Sequence, residues 1–240
     1  LRIAGAALFF FLGAYALVGW LRPQWVLEAE YARLRWLAGA SQRSVLVGDH
    51  RIAYLQAGRG RTIVLLHGFT GSKENWLPLM RELSRSYRVI APDLPGWGES
   101  TRRGGADYGP VAQAERVRDF LQVVQGAMPA IGGGAGTHSA ARVPYRPPTV
   151  VVGHSMGGQI LGLLAARHPD AVNRIVLMDS AGVPFKANDF GRAVLAGRNP
   201  FEVTSRAQLH RYLGIVFADP PFVPWPADRA LVLQRARQAG

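Results

Sequence analysis

Apolar runs and amphipathic stretches alternate along residues 44–184. Two short runs, 44–47 and 51–56, flank Gly48-Asp49-His50, which predicts a hairpin. Further along, apolar runs predict strands, and helical spacing of apolar positions predicts helices. The predicted strands are 62–66, 88–91, 149–152 and 174–178, and the predicted helices are 76–83, 111–124 and 157–167. This alternation predicts an α/β fold with a doubly wound, mostly parallel sheet, whose ligands bind beyond the carboxyl ends of the strands.

The chain begins with an uncharged apolar stretch, residues 3–21. As a helix it spans ~28 Å, the thickness of a bilayer's hydrocarbon core. A secretory signal cleaved after Ala14-Tyr15-Ala16 and a buried helix are the alternatives. The apolar run continues past that site, so we expect a transmembrane anchor at 1–22. Arginines follow the segment, which weakly favours a cytoplasmic position for the main body.

Residues 23–43 read as a juxtamembrane helix, because apolar side chains recur near helical spacing between charged ones. Two interpretations stay open for it: a packing helix, and an interfacial helix that lies on lipid.

Two further stretches differ from the alternating pattern. Residues 126–148 contain a triple glycine and a double proline and predict a long loop or disordered insertion. Residues 185–240 are helical in pattern, rich in aromatic side chains and interrupted by four prolines between 220 and 226.

Composition excludes several classes of protein. Apolar residues make up 48% and charged residues 18%, which indicates a folded chain with a sizeable core. Cysteine is absent, so disulfides, thiolate metal sites and a cysteine nucleophile are excluded. The net charge of +12 comes almost entirely from scattered arginines rather than from a clustered face, so we expect no nucleic-acid partner.

One short motif carries candidate chemistry. Gly153-His154-Ser155-Met156-Gly157 fits G-x-S-x-G, follows a predicted strand directly and opens a predicted helix. That context is required of a nucleophile elbow, in which a strained turn exposes the serine hydroxyl between small residues. An ordinary glycine-rich turn is the structural alternative.

His67-Gly68-Phe69 follows another predicted strand. Acyl transfer needs two backbone N–H groups aimed at the oxyanion. We expect Met156, the residue after the candidate nucleophile, and Phe69 to supply them. For His67 we favour a structural role that holds this loop by hydrogen bonds.

The elements HGFTGSKENW, DLPGWGES and GHSMGG, in this order, resemble the α/β-hydrolase superfamily. More narrowly, they resemble bacterial lipases and esterases and the membrane-anchored monoacylglycerol-lipase-like branch. The resemblance covers about residues 45–240 and implies Ser155 as nucleophile, with the Phe69 and Met156 amides as oxyanion hole. It implies a structural loop at residues 93–98, a core at 44–184 and a partial cap at 185–240. It implies no metal or organic cofactor, a lipid or ester substrate, and anchoring in a bacterial inner membrane.

The family order places an acid and then a histidine after the nucleophile. His168 lies about three helical turns from Ser155, His210 falls in the cap segment, and Asp179 ends a predicted strand. None of the three is a favoured triad member. We therefore expect a C-terminally truncated sequence that lacks the last strands, is nearly inactive and is poorly soluble.

Three functions follow for testing. The first is a membrane-anchored serine carboxylic-ester hydrolase acting through an acyl-enzyme. The second keeps the fold and changes the substrate, as a C–C hydrolase, thioesterase or acyltransferase. The third is a non-catalytic ligand-binding protein that retains the pocket.

Overall fold

A computed structural model describes residues 2–126, 146–184, 186 and 188–238. Tertiary contacts divide the chain into two compact units. One unit is Leu34–Pro184, and the other consists of Leu1–Arg33 together with Phe185–Gly240. The predicted loop at 126–148 falls for the most part outside the described residues.

The unit Leu34–Pro184 is built on a six-stranded sheet in the order β1-β2-β4-β3-β5-β6. The strands are β1 Ser41–Val47, β2 His50–Ala57, β3 Thr62–Leu66, β4 Arg88–Pro92, β5 Val150–His154 and β6 Ile175–Met178. β1 pairs with β2, and β2 with β4, in antiparallel fashion, whereas β4, β3, β5 and β6 run parallel. The predicted hairpin and the mostly parallel, doubly wound sheet are confirmed.

The middle of the sheet is β3, whose five residues are all buried. Val64 of β3 pairs with Ile90 on one side and with Val151 on the other. Parallel pairing carries through to the strand ends, where Leu66 lies opposite Gly153 and His154 opposite Met178. The loops that follow β3, β5 and β6 therefore begin on the same side of the sheet, where the carboxyl ends of the parallel strands lie.

Helices cover both faces of this sheet. Apolar residues of α4, Pro110–Val124, and α5, Met156–Arg167, form one buried cluster with it. A second cluster on other sheet residues includes Trp76 from a 3₁₀ turn at Lys73–Trp76 and Leu77 and Met80 from α3, Leu77–Leu83. The central strands β3, β4 and β5 are largely buried on both faces, which explains their continuous apolar sequences.

The other unit is helical over its described residues. It holds α1 Arg2–Leu21, α6 Asp189–Leu195, α7 Arg206–Val216 and α8 Ala227–Gln238. α2, Pro23–Leu37, crosses from this unit into the sheet unit. A small core joins α7 to the segments around it, through Val203, Leu209, Tyr212 and Leu213.

The predicted helices at 3–21 and within 23–43 are therefore present. Over the part of the chain that the structure describes, no helix combines the length and the apolar character that a bilayer crossing needs. The anchor at 1–22 stays a prediction, as does the role of residues 185–240 as a cap.

Candidate active site

Ser155 lies on a sharp turn between β5 and α5. Its backbone has φ 52° and ψ −118°, a conformation that residues other than glycine rarely adopt. Two hydrogen bonds, one to the end of β6 and one from the segment after it, hold the turn: Ser155 N–H donates to the Met178 carbonyl at 2.9 Å, and Ala181 N–H donates to the Ser155 carbonyl at 3.0 Å. Such strain costs on the order of 1–3 kcal/mol and persists only where the surroundings enforce it.

Glycines around Ser155 are required sterically. A Cβ at Gly157 would lie 2.5 Å from the Leu66 carbonyl oxygen and 2.6 Å from that of His67. A Cβ at Gly153 would lie 2.5 Å from the Gly157 carbonyl oxygen. These are backbone contacts that no rotamer change relieves. The small residues predicted on each side of the serine are therefore fixed by close packing of β3, β5 and α5.

The loop after β3 packs directly against the elbow. A Cβ at Gly68 would lie 3.0 Å from Ser155 Cβ and 3.2 Å from His154 Nδ1. Phe69, the next residue, is therefore close to the serine, and Met156 occupies the first position of α5. Among the described residues, neither the Phe69 nor the Met156 N–H has a hydrogen-bond acceptor. Free amides beside a serine at a helix N-terminus suit a developing oxyanion.

His67 fixes the peptide that carries the Phe69 N–H. The ring is buried, its Nδ1 is 2.8 Å from the Gly68 carbonyl oxygen, and its Nε2 accepts from the Leu94 N–H at 2.9 Å. Because Nε2 accepts, the ring proton belongs on Nδ1, which donates to Gly68. Burial lowers the pKa of His67, and the positive charge of Lys73 acts in the same direction, so the ring is neutral at neutral pH. The structural role favoured for His67 agrees with these contacts.

The loop at residues 93–98 supports the Phe69 segment from outside. Trp97 Nε1–H donates to the Phe69 carbonyl at 2.6 Å, and the two rings meet edge to face at 5.9 Å. Gly98 has φ 54°, and a Cβ there would lie 2.2 Å from the Asp93 carboxyl carbon. These contacts agree with the structural role that the resemblance implied for this loop.

A buried ion pair joins the two loops. Lys73 Nζ lies 2.8 Å from Asp93 Oδ2, and the Lys73 backbone N–H donates to Asp93 Oδ1 at 2.8 Å. Burial opposes the charged form of Lys73, but Asp93 and Glu74 outweigh it, so its pKa is raised. Burial raises the pKa of Glu74, whose Oε1 accepts from Arg35 at 2.7 Å. Sequence reasoning missed this cluster; its one signal was that Lys73 is one of only two lysines in the chain.

The remaining candidates lie elsewhere. His168, at the end of α5, places Nε2 2.9 Å from Glu115 Oε2. Asp179 is exposed, has φ 43° and directly follows β6, next to the backbone that holds Ser155. His210 lies on α7, in the other unit. The structure thus brings Ser155, Phe69 and Met156 together, and it gives His168 a different partner.

Comparison with known proteins places these features in a family. The model of the Alpha/beta hydrolase family matches residues 63–240. Lipase 1 of Psychrobacter immobilis is 31% identical over 197 residues, covering 80% of this chain and 55% of the lipase. The 2-hydroxymuconate semialdehyde hydrolase of Pseudomonas sp. (strain CF600) is 33% identical over 183 residues, covering 74% of this chain and 55% of the hydrolase.

A solved structure described as a membrane phospholipase A, a bacterial virulence factor, superposes with a TM-score of 0.77 at 32% identity. The superposition covers 100% of this chain and 73% of the phospholipase chain. The chain spans about half the length of the curated relatives that it matches.

Proposed function

Because the chain belongs to the α/β-hydrolase family, we propose that it is a serine carboxylic-ester hydrolase with Ser155 as its nucleophile. The observation that carries the proposal is the strained elbow at Ser155 packed against Gly68, with two free amides beside it. Similarity to a lipase supports an ester substrate.

In the proposed reaction, Ser155 Oγ attacks the ester carbonyl carbon and the carbonyl oxygen becomes an oxyanion. The Phe69 and Met156 N–H groups donate to that oxyanion. Its collapse breaks the bond to the alcohol, which leaves with the proton given up by the Ser155 hydroxyl, and water then hydrolyses the acyl-enzyme to the acid and free Ser155. Within the described residues, no histidine hydrogen-bonds to the Ser155 hydroxyl, so the proposal assigns the nucleophile and the oxyanion donors but not the base.

Labelling with a fluorophosphonate probe tests this proposal. We expect the full-length protein to label and its Ser155→Ala variant not to label. Ser180→Ala is the matched control, since Ser180 adjoins Gly158 of the elbow but its hydroxyl donates to the Ala181 carbonyl at 2.9 Å. Labelling that survives Ser155→Ala, or an unlabelled wild type, contradicts the assignment; the latter outcome favours the non-catalytic alternative.

A second candidate function is carbon–carbon bond hydrolysis. The similarity to 2-hydroxymuconate semialdehyde hydrolase, at 33% identity, specifically favours it. Thioester hydrolysis and acyl transfer use the same elbow. A panel of p-nitrophenyl esters, thioesters and dienone substrates of the ring-cleavage type separates these reactions, and we expect the esters to be turned over fastest.

We propose in addition that residues 1–22 hold the protein in a bacterial inner membrane and that the substrate is a lipid ester such as a monoacylglycerol. The uncharged stretch 3–21 supports this, as does the similarity to a structure described as a membrane phospholipase A. Alkaline carbonate extraction of membranes from cells that express the chain tests it. Release into the soluble fraction contradicts anchoring.

A further inference from the structure

An apolar segment of the helical unit lies at the surface. Residues 215–225 read IVFADPPFVPW, with Asp219 as the one charged residue. They include the end of α7 and the connection to α8. Phe222 is 90% exposed, and Phe217 and Trp225 are 45% and 42% exposed. Connections at a protein surface are normally polar, so an exposed apolar one of this length indicates a binding surface.

The second half of α1 extends this surface within the same unit. The Tyr15 and Trp225 rings meet edge to face at 6.4 Å, and a Cβ at Gly19 would lie 2.7 Å from Pro226. Arg229 Nη1 donates to the Trp20 carbonyl at 2.8 Å. Trp20 itself is 63% exposed. The 215–225 segment and the end of α1 therefore form one surface, which we call the aromatic surface.

The chemistry of this surface fits a lipid headgroup region. Tryptophan and tyrosine concentrate where a bilayer meets water, because their rings are apolar and carry a polar group. Two exposed arginines lie near Trp20: Arg22 follows it two positions later in the sequence, and Arg229 donates a hydrogen bond to its carbonyl. The whole chain carries a net charge of +12. Positive charge beside exposed aromatic side chains complements anionic phospholipid rather than a second copy of the same basic chain.

We propose that the aromatic surface docks on an anionic phospholipid membrane, with Phe222 entering the boundary between headgroups and acyl chains. This contact is additional to the crossing proposed for residues 1–22, because it also places residues 215–225, more than 190 positions later in the chain, at the lipid surface. It is also independent of hydrolysis, because it uses no residue of the elbow.

The absence of cysteine makes a site-specific test direct. Phe222→Cys and Leu195→Cys are prepared separately in the full chain carrying Ser155→Ala, and each is labelled with an environment-sensitive nitrobenzoxadiazole dye. Leu195, at the end of α6, is the matched control because it is 88% exposed and lies outside the aromatic surface. Vesicles of phosphatidylcholine with phosphatidylglycerol are compared with vesicles of phosphatidylcholine alone.

With the anionic vesicles, we expect the dye at 222 to shift to shorter emission wavelength, to be quenched by nitroxide-labelled lipid and to be protected from iodide. The dye at 195 should stay accessible to iodide. The proposal is overturned if the protein does not bind vesicles, if both positions respond alike, or if position 222 stays accessible in vesicle-bound protein. If the emission of the dye at 222 shifts in the same way without vesicles as the protein concentration rises, the aromatic surface binds a second copy of the chain and the membrane proposal is overturned.

Discussion

His67 sets the direction in which one backbone amide faces. Its Nε2 accepts from Leu94, so its Nδ1–H donates to the Gly68 carbonyl. The Gly71 N–H reaches the same carbonyl at 3.0 Å. In a trans peptide the carbonyl and the following N–H point in opposite directions, so these bonds turn the Phe69 N–H away from His67. A buried histidine thereby positions a proposed oxyanion donor without touching the substrate.

Replacing His67 should therefore reduce both stability and labelling. In His67→Ala the buried Leu94 N–H loses its acceptor and a cavity forms, so we expect about 3 kcal/mol less free energy of unfolding. The fluorophosphonate labelling rate of the remaining folded protein should fall about ten-fold or more, because the Phe69 amide is no longer held. Chemical denaturation and timed labelling measure the two effects.

His168→Ala is the control for this substitution, since His168 pairs with Glu115 at the half-exposed end of α5. It should change the free energy of unfolding by less than about 1 kcal/mol and leave the labelling rate unchanged. Equal effects of the two substitutions would remove His67 from the positioning role.

The lowered pKa of His67 also predicts how stability depends on pH. Burial, Lys73 and His154 lower this pKa, whereas Asp93 and the Gly68 carbonyl oppose the change. Below the ordinary value of 6.5 the unfolded chain takes up a proton that the folded ring resists, so stability falls as pH falls. The slope from this one group is at most about 1.4 kcal/mol per pH unit. Denaturant titrations between neutral pH and about pH 5 measure this dependence. In His67→Ala the free energy of unfolding should vary less with pH than in the wild type, and an unchanged slope against pH contradicts the prediction.

At the scale of elements, strand, turn and helix share one steric constraint. α5 begins so close to the end of β3 and the loop after it that a Cβ at Gly157 would meet the backbone carbonyls of Leu66 and His67. The same helix has open space around Gly162, where no atom lies within 4 Å of an added Cβ. Of these two glycines, five positions apart in one helix, only Gly157 is therefore required sterically.

Alanine at these two positions should change stability in opposite directions. Gly157→Ala forces backbone apart and should cost more than about 2 kcal/mol in free energy of unfolding. Gly162→Ala should raise it by about 0.5–1 kcal/mol, because alanine has the higher helix propensity. Denaturant titration of the two variants measures this, and a destabilising Gly162→Ala or a neutral Gly157→Ala would refute the packing argument.

The elements that the sequence predicted correctly depend on local patterns. The short apolar run 62–66 predicts β3, and a serine between glycines after a strand predicts the sharp strand–turn–helix at Ser155, because those constraints act within a few residues. The Lys73–Asp93 pair and the bond from Trp97 to the Phe69 carbonyl join residues 20 and 28 positions apart. Hydropathy contains no information about such contacts, so the support of the candidate oxyanion loop emerged only from the fold.

At the scale of the whole molecule, the two edges of the sheet differ in chemistry. The β1 edge begins Ser-Gln-Arg-Ser, a polar sequence that suits a strand facing water. The β6 edge consists of four apolar residues, each between 38% and 45% exposed: Ile175, Val176, Leu177 and Met178. Within the described residues β6 pairs only with β5. An apolar strand with unpaired backbone groups is a template for association with another chain.

We therefore expect the 240-residue chain to self-associate through β6. Replacing both Val176 and Leu177 by lysine puts charge on each face of the strand and should shift the chain toward monomer, because paired copies would bury those charges. Val111→Lys is the control, since Val111 is 46% exposed and belongs to α4 rather than to a strand. Sedimentation velocity over a range of concentrations measures the shift. A wild type that stays monomeric, or a double variant that associates as strongly as Val111→Lys, would show that β6 does not drive association and that the predicted poor solubility needs another cause.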